Sequence, residues 1–259
     1  MIYQSLFPDN ERADTARVVS RLAQAIERKE PCSMISMADG ESAVLWAAKG
    51  FGEYHYLSCW GFPVEDRRGV AEQLATAIAK CDIVCLPRTG SEAQKPEMGP
   101  RLREAMRLWD IHLKPDALIG DSLIEAYILF DFWLWSLMEG RKVLVVTSEA
   151  NLVVPALLAR VPPPGLSAYA PEGVWRAADA TGIVLEEGLA GSQKCLEQAA
   201  NLPWKPDLCI LGAGSRAAHL AVSIAEMHSI PVIELGSMMM CFHQGTDLGL
   251  YHSWYLAGG

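Results

Sequence analysis

The sequence predicts an α/β domain built on a mostly parallel sheet flanked by helices, and three observations carry that expectation. Short runs that are apolar throughout, such as 32–38, 82–87 and 207–212, recur along the chain and end in small, polar or turn-forming residues. Between them lie segments whose apolar residues repeat at the spacing of an amphipathic helix. Strands that are apolar on both sides must be covered on both faces, which a parallel sheet achieves with crossover helices.

The elements follow in order. "DTARVVSRLAQAIERKE" (14–30) puts Val18, Val19, Leu22 and Ile26 on one helical face and charges on the other. "CSMISMA" (32–38) is a buried strand, and "ESAVLWAAKG" (41–50) a helix stopped at Gly50. "EDRRGVAEQLATAIAKC" (65–81) carries Val70, Leu74 and Ile78 at helical spacing, with acids in its first turn. "DIVCLP" (82–87) is a strand ended by Pro87, and "RLREAMRLW" (101–109) a helix.

The apolar stretch "DSLIEAYILFDFWLWSLMEG" (121–140) reads as one helix lying over the sheet. Its acids Glu125 and Asp131 stand six apart and form no common polar face. The sharper alternative makes Tyr127, Phe130, Trp133 and Trp135 a homodimer interface or an acceptor-binding wall. Then come strand 142–148, helix 150–160, a weak strand 166–170, strand and turn 207–214, helix 215–229 and closing strand 231–236. The segments 88–100 and 160–167 read as surface loops, and without internal repeats the whole of 1–259 is expected to form one domain.

Composition narrows the function classes. With 51% hydrophobic and 20% charged residues among 259, the chain is globular. A net charge of −9 excludes the basic stripe a nucleic-acid binder needs. Phosphorylated small molecules remain open, because backbone N–H groups, a few Arg or a metal can bind them locally. No 18-residue apolar run spans a membrane, and the opening residues lack a secretory pattern. Seven scattered cysteines, with no second Cys/His pair beside Cys81 and Cys85 to complete a zinc site, fit buried thiols in a reducing cytoplasm.

Open α/β sheets bind ligands beyond the carboxyl ends of their strands. Four such ends carry polar residues here: "MADGE" (37–41), "LPRTGS" (86–91), "VTSEAN" (146–151) and "LGAGSR" (211–216). Parallel strands bring all four to one edge. There, Asp39 and Glu41 have two readings. Asp favours the N-cap and Glu the first helical turn, so a capped helix accounts for both. Alternatively they offer two carboxylates to Mg²⁺ or Mn²⁺, ions that take oxygen ligands and complete their shells with water and phosphate, and Gly40 lets a ligand approach the backbone.

The second constellation is Gly212-x-Gly214-x-x-Ala217 after a strand, with Glu234 twenty residues beyond Gly214. It satisfies the Rossmann dinucleotide fingerprint, including the acid that holds a ribose. Plain strand–turn–helix geometry explains the glycines equally well, and only a short tail follows Glu234, too little for a second mononucleotide half. A nucleotide phosphate at this helix N-terminus, with Arg216 as cationic partner, fits better. Ser148 lacks the flanking glycines of a hydrolase nucleophile, and His219 and His228 stand nine apart on different helix faces.

These residues resemble a known family. "SMADGESAVL" is similar to the "RFGDGE" signature of GT-D-type glycosyltransferase domains, found in bacterial surface-glycan and adhesin glycosylation. The tail "PDLCILGAGSRAAHLAVSIAEMHSIPVIELG" resembles that family's closing strand, "GPTAK", helix and "IDIG". The resemblance covers both ends of the chain. Ser36 stands where the family has Arg, Ala38 where it has Gly, Arg216 where it has Lys, and Ser237 where many members have His.

The resemblance implies a metal-dependent glycosyltransferase with a Rossmann-like sheet and a nucleotide-sugar donor, usually a UDP-sugar. It implies Mn²⁺ or Mg²⁺ at Asp39 and Glu41, which also become the catalytic residues, Glu41 serving as a ligand or as the base for the acceptor hydroxyl. Gly40, Arg88, Ser148, Gly214, Ser215 and Arg216 are the expected donor contacts, Arg88 and Arg216 at the diphosphate. The acceptor is a glycan or a protein-linked group. Two other classes stay open: an NAD- or S-adenosylmethionine-dependent enzyme using the Gly212–Ala217 turn, and a non-catalytic nucleotide- or sugar-binding member.

Overall fold

A computed structural model of the chain describes residues 12–37, 39–51, 67–87, 98–159, 177 and 179–242, excluding the side chains of Asp39, Arg67, residues 98–100 and Phe130. The first half runs α1 (Thr15–Arg28), β1 (Cys32–Ser36), α2 (Asp39–Ala47), α3 (Arg67–Ile78), β2 (Ile83–Leu86), α4 (Met98–Leu108) and β3 (Leu118–Asp121). The second runs α5 (Ile124–Phe130), α6 (Trp133–Met138), β4 (Lys142–Thr147), α7 (Ala150–Leu158), β5 (Asp179–Val184), α8 (Gly188–Ala200), β6 (Leu208–Gly212), α9 (Ala217–His228) and β7 (Pro231–Glu234). Short 3₁₀ helices at Gly214–Arg216 and Gly236–Phe242 follow β6 and β7.

The seven strands form one sheet in the order β3-β2-β1-β7-β6-β4-β5, and every ladder in it is parallel. The four residues of β2 and β7 are all buried, as are the five of β1, which is why these strands read as unbroken apolar runs. One face is covered by α2, α3, α4, α8 and α9. The other is covered by α1, α5, α6, α7 and the 236–242 helix. The expected α/β class and single parallel sheet hold.

Local chemistry explains the element ends. Asp14 caps α1 by accepting the N–H of Arg17 at 2.8 Å, and Val18, Val19, Leu22 and Ala25 form its buried stripe. Gly50, at φ +84°, lies just past α2 in the left-handed region where glycine meets no steric penalty.

The structure corrects the reading of 121–140. That stretch is the end of β3 followed by two short helices, broken where Phe132 takes φ +61°. Trp135 is buried and stacks on Phe242 with ring centroids 5.8 Å apart, so it belongs to the core, whereas Trp133 is 39% exposed. Strands β3 and β5 and helix α8 are additions to the sequence reading. The expected weak strand 166–170 and the loop 160–167 lie outside the described residues, as do 88–97 with Arg88.

Connections decide where a crevice opens. From β4 the chain moves outward to β5, while from the adjacent β6 it moves inward to β7. Divergent connections at the carboxyl ends of neighbouring strands make the topological switch point where open α/β sheets bind ligands. The flanking strands that sequence order denies to the Gly212–Ala217 fingerprint are supplied by earlier parts of the chain, β4 beside β6 and β1 beside β7.

Candidate functional site

The site is built where β1, β7, β6 and β4 end on one edge. Asp39-Gly40-Glu41 forms the first turn of α2, directly after β1. The Gly214–Arg216 turn packs against both α2 and α3, so the helix that the acidic turn opens and the glycine turn are neighbours despite 170-odd intervening residues. Ser148, exposed, follows Thr147, which pairs with Gly212 across the β4–β6 ladder. Sequence reasoning therefore grouped Asp39, Gly40, Glu41, Ser148, Gly214, Ser215 and Arg216 on the edge they share.

The glycine turn has two distinct causes. A Cβ at Gly212 would stand 2.6 Å from Met239 Cγ and 3.2 Å from the Gly236 carbonyl, so this glycine makes room for the 236–242 helix. Gly214 instead takes φ +53°, the left-handed turn that starts the approach to α9. Ser215 is 2% exposed and its hydroxyl has no hydrogen-bond partner among the described residues. Arg216 donates from one terminal nitrogen to the carbonyls of Glu186 and Gly188, the latter at 3.1 Å, and so ties the glycine turn to the start of α8. Burial holds its guanidinium below its ordinary pKa, with Cys195 and Glu187 opposing that shift.

Three carboxylates that sequence reasoning did not join meet at the other half of the edge. Glu41 is 7% exposed and Glu234 is 3% exposed. Past Glu234 the chain turns, and Leu235 donates its N–H to Leu211 on β6 at 2.9 Å. The Glu234 carboxylate then accepts the N–H of Ser36 at 2.7 Å, extending the β1–β7 pairing beyond its backbone ladder. Glu125 enters from the first turn of α5, and its Oε2 is sealed from solvent without a hydrogen-bond partner among the described residues. That turn is started by Asp121, whose Oδ1 accepts the N–H of Leu123 at 2.9 Å.

Electrostatics mark these acids as mutually repelling. Burial, then the charge of Glu41, pushes Glu125 up to about 8 from its ordinary 4.5. Burial, Glu41 and Glu125 push Glu234 well up too, against the opposing Ser36 N–H bond. The only signal in the sequence was Glu125 interrupting an apolar helix, and Glu234 as a fingerprint acid. Arg12, also missed, donates to the carbonyls of Leu86, Pro87 (2.9 Å) and Gly120 (3.4 Å) and binds together the ends of β2 and β3.

The chemistry of this donor set suits a hard cation. Glu41, 7% exposed, offers carboxylate oxygens from the same turn as Asp39. Among the described residues no three Asp, Glu, His or Cys side chains gather into a ready-made cage, so substrate oxygens would complete the shell. The six described cysteines are buried free thiols, with Cys85 held well above its ordinary pKa by burial and then by the charges of Glu125, Asp121 and Glu234, and Cys209 by burial. No helix among the described residues is long and apolar enough to cross a membrane.

Compared with known proteins, the chain matches the family described as a GT-D fold-like domain over residues 13–242. No curated protein and no solved structure matches it significantly.

Proposed function

Because the chain belongs to the GT-D-like family, whose fold is glycosyltransferase-like, we propose that it transfers a hexosyl group from a nucleotide sugar, a UDP-sugar foremost, to a glycan or protein-linked acceptor. The observation that carries this reading is the packing of the Gly214–Arg216 turn against the helix that Asp39-Gly40-Glu41 opens. Transfer separates charge onto a diphosphate leaving group, and this junction sets two opposing charge features side by side.

Asp39 and Glu41 would hold Mn²⁺ or Mg²⁺, which would supply Lewis acidity at the diphosphate. The remaining tasks fall to the chain. The 3₁₀ turn leading into α9 presents the positive end of that helix's dipole to phosphate, with Gly214 allowing close approach. Ser215, Arg216 and Ser148 stand on the same edge as donor contacts, and Arg88 keeps its assignment at the diphosphate. A carboxylate of the acidic half, Glu41 in the simplest case, would take the acceptor's proton. Free thiols and the lack of a spanning helix among the described residues fit a reducing, cytoplasmic setting.

Asp39→Asn tests the reading. Asn is nearly isosteric and caps a helix about as well as Asp. The variant should melt within about 2 °C of wild type, the change expected when capping is kept. It should also lose Mn²⁺-dependent UDP binding by calorimetry and donor hydrolysis. Unchanged metal-dependent binding would make the pair structural.

A second reading keeps one specific support: β6–α9–β7 is a βαβ unit with its acid, Glu234, at the end of the second strand, the arrangement that binds NAD or S-adenosylmethionine. Thermal shift with NAD and S-adenosylmethionine against UDP and UDP-glucose, with and without Mn²⁺, separates the two. A non-catalytic member would bind UDP-sugar in the same assay and turn none over.

A further inference from the structure

We propose that Glu125 and Glu234 form a hydroxyl-recognition subsite that grips the sugar ring of the donor, an inference that rests on reading this edge as a nucleotide-sugar site. Two carboxylates from unrelated elements, the first turn of α5 and the end of β7, address one small region above Gly236. The ideal Cβ position of that glycine lies 3.6 Å from Glu125 Oε2 and 3.9 Å from Glu234 Oε1. Gly236 sits at φ +50°, where glycine is favoured, so the backbone conformation keeps this position bare.

The oxygens involved are under-used. Glu125 Oε2 is sealed from solvent and has no hydrogen-bond partner among the described residues. Glu234 is almost wholly buried, and its one hydrogen bond among the described residues, from the Ser36 N–H, engages Oε2 and leaves Oε1 for a ligand. Buried polar atoms are almost always paired, and a ligand that donates would pair these. Protonated or ionised, each carboxyl can pair with a sugar hydroxyl, which both donates and accepts.

Charge decides which part of the donor belongs here. Glu125 and Glu234 carry no positive charge to hold a diphosphate, which the cation assigned to Asp39 and Glu41 serves. The α9 N-terminus and Arg216, at the β6 end, suit the diphosphate instead. An uncharged, hydroxyl-rich ring is the portion left for the acidic half. The donor is thereby oriented along the edge, phosphates toward β6 and the hexose toward β7 and α5.

The test compares a nucleotide with its sugar-bearing form on the full chain. Wild type, Glu125→Gln and Glu234→Gln are titrated in Mn²⁺ with UDP and with the best ligand among UDP-glucose, UDP-galactose, UDP-N-acetylglucosamine and GDP-mannose. Gln keeps an acceptor for Ser36 and nearly the same volume, and thermal melting checks the fold. Each variant should bind free nucleoside diphosphate within about twofold of wild type and the sugar nucleotide about 10- to 100-fold more weakly, the size expected when a buried hydrogen-bonding group loses its partner.

Equal weakening of both ligands would mean that the carboxylates serve the cation or diphosphate, and unchanged sugar-nucleotide affinity would mean that they do not touch the ligand. Either result overturns this subsite while leaving the donor-site reading standing. Wild-type protein that binds no nucleotide sugar overturns that reading, and the subsite with it.

Discussion

Replacing Glu125 by Gln should stabilise the free protein, and increasingly so as pH rises. Folding places this carboxylate where burial and the charge of Glu41 lift its pKa from 4.5 to about 8. An acid whose folded pKa is raised favours the folded state only while protonated. Its contribution is full below 4.5 and drains away as pH climbs to about 8. At about 1.4 kcal/mol for each pH unit, that window amounts to about 5 kcal/mol, an upper bound for a group coupled to Glu234 and Glu41. The isosteric amide carries no such dependence. Urea titrations at pH 5, 7 and 9 in EDTA, to keep cations away, would measure it. The gap in unfolding free energy between variant and wild type should widen by roughly 2–4 kcal/mol from pH 5 to pH 9. A gap that stays flat, or narrows with rising pH, would show that Glu125 ionises freely in the folded protein and would refute the picture of a repelling trio.

Other perturbations report on neighbouring parts of the edge. Gly191→Ala would bring a Cβ within 2.1 Å of the backbone carbonyl oxygen of Glu186, so the start of α8 must shift. A loss of about 3 kcal/mol or more is expected in denaturant unfolding. Arg12→Ala strips donors from the carbonyls of Leu86, Pro87 and Gly120. It should cost about 1–3 kcal/mol, visible as a lower melting temperature. Arg216→Ala should weaken UDP binding in calorimetry, and unchanged affinity would take the closing helix out of the phosphate site.

Much of the scaffold was legible because its signals are local. The stripe of Val18, Val19 and Leu22 and the capping Asp14 specify α1 from within a few residues of one another. The unbroken apolar runs of β1, β2, β6 and β7 announce strands buried on both faces, hence parallel pairing. Asp39 and Glu41 were identifiable as an edge pair because a strand hands over to a helix between Ser36 and Asp39.

Other features had no local signature. Residues 121–140 are apolar all round, so no period marks the break that Phe132 makes in the left-handed region, and packing on both sides decides it. Strand β5 alternates exposed and buried residues around Gly182, whose missing Cβ admits Ala150, a contact that only α7 lying on the strand creates. The site divides the same way. Residue type and turn position nominated the acids of α2 and the glycines after β6. The meeting of Glu41, Glu125 and Glu234 came from the strand order, which sets β7 beside β1 and brings the end of β3 close. Parallel ladders between strands distant in sequence are chosen by how the whole sheet buries its faces, and a charge cluster assembled across such ladders exists only once that choice is made.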